Sequence, residues 1–185
     1  MKFRWLCVVG LFIASAPTLP ADSLDADRAV AKQLAADLKA ALATALKNSP
    51  ESAIAVCNDR APSIAARLAT ESNAKVGRTA LRVRNSDNAP TEWQRAVLLD
   101  FANRMQAGES AASIEFSADV MTASGIEHRY MKAIPVEPLC VTCHGSQLPP
   151  SLREAIRSKY PADAATGFKV GDLRGAVYVV RRPRR

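Results

Sequence analysis

Ser113-Ile114-Glu115-Phe116-Ser117-Ala118-Asp119-Val120-Met121 alternates apolar and polar side chains, with Ile114, Phe116, Ala118 and Val120 on one side. A period of two suits a strand that lays one face on a core. Thr122 to Gly125 supplies a turn, and Ile126 to Val136 reads as the returning strand of a hairpin. A last strand is expected over Ala176 to Val180, after a turn at Gly171 to Gly175.

The chain before the hairpin has the helical period. Across residues 24–47, Val30, Leu34, Leu38, Leu42 and Ala45 form one apolar stripe. Asn48-Ser49-Pro50 ends it. Ser49 is placed to cap a second helix, with Pro50 at its first position and Glu51 in its first turn. That helix gathers Ile54, Cys57, Ala61, Ile64, Ala65 and Leu68 on one face, so Cys57 points inward, and Pro62 kinks or restarts it. Val76 to Val83 reads as a short strand, followed by a turn at Asn85 to Asn88. A third helix carries Trp93, Val97, Phe101 and Met105 and stops at Gly108. A short helix is expected at Leu152 to Tyr160, after Pro149-Pro150. Helices first and strands later argue for an α+β domain with an antiparallel sheet.

At 185 residues one folded domain is expected. The net charge of +7 is unevenly placed. Lys2, Arg4, Arg181, Arg182, Arg184 and Arg185 lie at the two ends, and without them 19 basic side chains face 18 acidic ones. A nearly neutral body with no basic, aromatic-studded stripe speaks against nucleic-acid binding. The tail 181–185 reads as solvated, or as a dock for an acidic partner or an anionic membrane surface.

Residues 1–21 read as a secretory signal peptide: Lys2 and Arg4, then an apolar run from Leu6 to Ala14, then Ala14-Ser15-Ala16. The mature chain, residues 22–180 before the tail, is then expected to be periplasmic. Without Cys7 it keeps Cys57, Cys140 and Cys143, an odd number that asks for an explanation in an exported protein.

Cys140-Val141-Thr142-Cys143-His144 is the C-x-x-C-H signature of covalent haem attachment. Two thiols about one turn apart add across the two haem vinyl groups, and the next histidine ligates the iron. A thioredoxin-like C-x-x-C would want a buried strand before it, where Pro135 and Pro138 stand instead. A Cys₃His zinc site from Cys57, Cys140, Cys143 and His144 is the other competitor.

No Met, His or Cys follows His144, so a sixth iron ligand has to come from upstream. The candidates are Cys57, Met105, Met121, His128 and Met131. Met105, Met121 and Met131 read as packing residues. His128, between Glu127 and Arg129, reads as exposed. Cys57 is the leftover thiol on an inward face, where a plain core cysteine is the competing reading.

Several separated motifs also agree in order with a known family. They are Val76-Gly77-Arg78-Thr79-Ala80-Leu81-Arg82-Val83-Arg84-Asn85, Asn88-Ala89-Pro90, Arg129-Tyr130-Met131-Lys132-Ala133-Ile134-Pro135, the C-x-x-C-H run with Gly145, Tyr160-Pro161-Ala162-Asp163, Gly167-Phe168, and Gly171 to Ala176. Together they resemble the bacterial single-haem c-type proteins with a PAS-like sensor fold, long catalogued as a domain of unknown function. The resemblance runs from about residue 25 to residue 180. It implies a PAS-like antiparallel sheet with helices packed on it, one covalent haem c, and His144 as an axial ligand. It implies Cys57, within Val56-Cys57-Asn58-Asp59-Arg60-Ala61-Pro62, as the ligand opposite. Arg78, Arg82 and Arg84 are the candidates for the haem propionates, against the plainer reading of a solvated strand face.

Thiolate ligation favours ferric iron and a low potential. Loss of the thiolate on reduction opens a position for a diatomic gas and moves the helix that carries Cys57. The expected function is a redox or gas sensor that works with a separate signalling or redox partner. A periplasmic electron-transfer cytochrome is the alternative. An enzyme is not expected, because a peroxidase needs distal acid–base residues and His128 is the sole second histidine.

Overall fold

The computed structural model describes residues 22–182. Residues 1–21, the expected signal segment with Cys7, and residues 183–185 lie outside the described residues.

Helix α1 spans Asp22–Leu46. Its stripe is the expected one, with Leu34 and Leu38 buried. Helix α2, Pro50–Ala55, starts as its capping residues predict: Ser49 Oγ accepts the Ser52 N–H at 3.1 Å. A π-helical turn at Val56–Arg60 leads into α3, Ala61–Ser72. Pro62 thus falls in the first turn of a restarted helix, where its missing N–H is no loss. The carbonyl of Val56 accepts from the Ala61 N–H, five residues on, so the turn holds one residue more than an α-helical turn.

Strand β1 is Lys75–Thr79, a 3₁₀ turn is Ser86–Asn88, and α4 is Glu92–Gln106. Gln94 Oε1 accepts the Thr91 N–H at 2.9 Å and so secures the start of α4. The hairpin is β2, Glu115–Thr122, with β3, Gly125–Pro135. Helix α5 is Val141–His144, α6 is Pro150–Lys159, and β4 is Leu173–Arg181. The strands form one antiparallel sheet in the order β1-β4-β3-β2. The α+β class, with helices on a PAS-like antiparallel sheet, is as expected.

Strand alternation divides the core between the two faces. Tyr130, Val177 and Val179 meet α1 and α3 on one face. Met131, Ala133 and Ala176 meet Leu98 and Phe101 of α4 on the other. Gly77 allows a close approach across the sheet: a Cβ there would lie 2.5 Å from the Tyr178 hydroxyl.

Three expectations are corrected. Strand β1 ends at Thr79 rather than Val83, because β4 pairs with it only from Ala176 to Val180. Beyond Thr79 the chain turns toward residues 163–165, and the Val83 carbonyl accepts the Ala164 N–H at 2.9 Å. Arg82 and Arg84 therefore stand on a loop and not on a strand. His128 is buried, not exposed: β3 is an inner strand, and Asp27 of α1 lies over it. Arg181 and Arg182 belong to the fold rather than to a free tail. Arg181 closes β4 and pairs with fully buried Asp27 at 2.5 Å, and Arg182 donates to Glu127 at 3.0 Å.

Candidate cofactor site

The C-x-x-C-H run sits where the end of β3 turns into the short helix α5. The Cys140 N–H donates to Glu137 O at 2.9 Å, and the His144 N–H returns to Cys140 O at 3.0 Å. Residues 163–168 hold this turn from outside. His144 O accepts from Phe168 N–H and Gly145 O from Gly167 N–H, both at 2.9 Å. Arg84 donates to Cys143 O at 2.6 Å and to Ala165 O at 3.3 Å, and its guanidinium pairs with Asp163 at 3.2 Å. Arg84 and Asp163 are both buried, so this pair is well screened from water.

His144 is held in one tautomer with one ring nitrogen left open. Its Nδ1–H donates to the Ala165 carbonyl at 2.6 Å, which leaves the Nε2 lone pair free. Burial, with Arg174 and Arg84 nearby, pushes its pKa down to about 3, so the ring is neutral. Phe168 packs edge-on against it, with ring centroids 6.3 Å apart.

The two motif thiols diverge. Cys140 packs against the cluster of Val136, Ala165 and Phe168, and Cys143 against the cluster of Ile54, Leu152 and Tyr160. Neither is in a disulfide. Burial raises the pKa of the Cys143 thiol, which keeps its proton on.

Both thiols and His144 open on a cavity of about 320 Å³, within the usual range for small-molecule sites. Leu38 and Leu42 of α1, Ile54 of α2, Ile134 of β3 and Val177 of β4 give it an apolar wall. Cys57 reaches the same cavity from the π-helical turn. Met105, Met121, Met131 and His128 do not line it. Met131 is core, Met105 packs against α4's core cluster, and Met121 is exposed. Of the upstream candidates, the fold brings only Cys57 to the C-x-x-C-H motif.

The zinc alternative finds no support. Among the described residues no group of three or more His, Cys, Asp or Glu side chains gathers at metal-binding spacing.

The three arginines read from the sequence separate. Arg78 lines the cavity. Arg84 lines it too, yet is committed to Asp163 and the motif backbone. Arg82 is exposed and stays outside: it donates to Ala164 O at 3.1 Å and to Thr166 O, with its guanidinium 4.2 Å from the Phe168 ring centre. Its assignment to the cofactor is not supported by this placement, and the early end of β1 is the reason. Arg174, at the start of β4, lines the cavity and was not singled out from the sequence. Its one signal is its place among basic residues that converge only through the β1–β4 pairing.

Fold and site define a class: an α+β protein whose antiparallel sheet and N-terminal helices enclose a pocket carrying three free thiols and a neutral histidine. The chain belongs to the Tll0287-like family, whose model matches residues 19–181. A solved structure described as the crystal structure of the cyanobacterial heme-protein Tll0287 is similar, with 26% identity and a TM-score of 0.65. The likeness covers 90% of this chain and 98% of that one. No curated protein matches the chain.

Proposed function

We propose that this chain is an exported, single-haem c-type protein that responds to redox state or to a diatomic gas. The observation that carries the haem assignment is His144: a neutral imidazole with Nδ1 tied to Ala165 and Nε2 free, one residue after two unpaired thiols on one cavity. The likeness to a solved heme-protein supports it. Haem would supply a one-electron iron couple and an iron position for small ligands.

The residues present fit that group. Cys140 and Cys143 would each add S–H across one vinyl group, which needs no oxidant and loses no atom. His144 would hold the iron through Nε2 and Cys57 through Sγ, both from the wall of the one cavity. Leu38, Leu42, Ile54 and Val177 would exclude water from the pocket and so strengthen electrostatic effects within it.

The sensing role rests on where Cys57 sits. A π-helical turn holds an extra residue relative to an α-helix and is common at functional sites. Such a turn would give the Cys57 sulfur a discrete second arrangement, which a rigid helix would not offer. No catalytic turnover is assigned. Export rests on the charged-apolar-small order of residues 1–21; no described helix is long and apolar enough to cross a membrane.

Two experiments test the reading. Expressed with c-type maturation, a Cys140→Ala/Cys143→Ala variant should lose to acid-acetone any haem it binds, whereas the parent retains it. Equal extraction from both would refute covalent attachment at these cysteines. Redox titration with and without carbon monoxide then separates the two roles. Slow, hysteretic change with gas binding to ferrous iron supports sensing; a fast reversible couple that ignores the gas supports electron transfer.

A further inference from the structure

The charges on the cavity wall do not balance. The charged residues lining it are Lys39, Arg78, Arg84, Glu137 and Arg174. Lys39 pairs with Glu137 at 2.5 Å, and Arg84 pairs with Asp163. Arg78 and Arg174 have no carboxylate partner among the described residues. Arg174 makes one weak bond, from Nη1 to the Arg82 carbonyl at 3.2 Å, and its guanidinium lies 5.5 Å from the centre of the Phe168 ring. The Arg78 guanidinium makes no hydrogen bond among the described residues, its backbone alone being paired with β4. Each is half-buried, and both are drawn to lower pKa, first by burial. For Arg174, brought to about 10, the neighbouring cations Arg78 and Arg84 add to this. Two unpaired guanidiniums sharing one sheltered cavity are unfavourable unless an anion joins them.

Topology puts them together. Arg78 precedes the last residue of β1, and Arg174 follows the first residue of β4. The antiparallel pairing brings those strand ends to one corner of the sheet, on the cavity side.

We propose that Arg78 and Arg174 are the two propionate-binding residues of this site, one cation for each carboxylate of a single haem, and that Arg82 and Arg84 are not. Guanidinium forks match carboxylates in two parallel hydrogen bonds. The two unpaired cations equal the two carboxylates of one haem, so the same balance argues for one cofactor per cavity. Arg84 is excluded because its donors already serve Asp163, Cys143 and Ala165. This assignment rests on the haem reading above.

The test uses the matured protein with Arg78→Gln, Arg174→Gln and the double substitution, and Arg82→Gln as a control. Haem content is measured first by pyridine haemochrome; a parent without haem would sink the haem reading itself rather than the clamp. In haem-loaded protein, resonance Raman reads the propionate bending modes, and potentiometry across pH reads propionate ionisation. Each cavity substitution should move the bending modes, lower the midpoint potential and carry its propionate-linked inflection to higher pH, the double substitution most. Arg82→Gln should leave all three where they were. Arg78→Lys and Arg174→Lys, which keep charge, should restore the potential without restoring the bending modes, and they replace any Gln variant that fails to fold. Unchanged bending modes and unchanged pH dependence in the cavity variants would overturn the assignment. So would an equal response to Arg82→Gln.

Discussion

The Arg84 guanidinium donates to the backbone carbonyl of Cys143 at 2.6 Å while paired with Asp163, both side chains being buried. One side chain from the loop after β1 thereby holds the attachment motif against the segment that anchors His144. Arg84→Met leaves the Asp163 carboxylate buried without its cation, and a destabilisation of about 3–5 kcal/mol is expected. Arg84→Lys should recover only part of it, because an ammonium cannot reproduce the fork. Urea unfolding of the three proteins checks this, and equal midpoints would show that the pair is dispensable.

Cys57→Ser is expected to keep the covalent haem and change its electronic spectrum. The proposed thioethers would depend on Cys140 and Cys143, whereas Cys57 reaches the cavity from another element. Ferric absorption and EPR spectra should lose their thiolate character, and the midpoint potential should rise. Identical spectra would leave Cys57 a core cysteine.

At the other end of α1, Asp27 is fully buried between Arg181 at 2.5 Å and His128 Nε2 at 3.2 Å. His128 Nδ1 in turn meets Asp119 at 2.6 Å. Arg181→Met strips the closest cation from a buried carboxylate and should destabilise the fold by about 3–5 kcal/mol. The haem spectrum should not move, since neither residue lines the cavity. A spectral change with intact stability would contradict this division.

A bond from Arg28, with a further one from the Tyr130 hydroxyl at 2.9 Å, holds the Glu115 carboxyl below the usual carboxylate range. A depressed folded-state pKa adds stability that is complete above the unfolded value of about 4.3 and is lost as pH falls through the folded one. Urea midpoints of the parent should therefore drop below about pH 4.3. Glu115→Gln should start lower at neutral pH and fall less steeply. Parallel curves would show that Glu115 does not contribute to the acid limb.

What the sequence made legible was what is contiguous or periodic. The thiols and the histidine lie within five residues and need no tertiary contact to be recognised. The alternation from Ile114 to Val120 and the stripe from Val30 to Leu42 are likewise local. What stayed hidden depends on which elements meet. Arg174 becomes a cavity residue only because β4 pairs with β1, whose partners Thr79 and Ala176 lie 97 residues apart in sequence. Arg82 alternates with Arg78 and Arg84 in sequence but leaves the cavity once β1 ends. His128 has charged neighbours on both sides, the usual mark of exposure, and is buried because α1 crosses over it. The resemblance implied Cys57 as a ligand; the fold adds that the other upstream candidates lie elsewhere.

The central claim is one covalent haem held at Cys140 and Cys143. The most direct measurement is the intact mass of the purified, acid-acetone-washed chain from a maturation-competent host, with its pyridine haemochrome. A mass increase of one haem, with the haemochrome band of a doubly thioether-linked group, is the predicted result. A colourless chain at its polypeptide mass, from a host that matures other c-type proteins, would contradict the account.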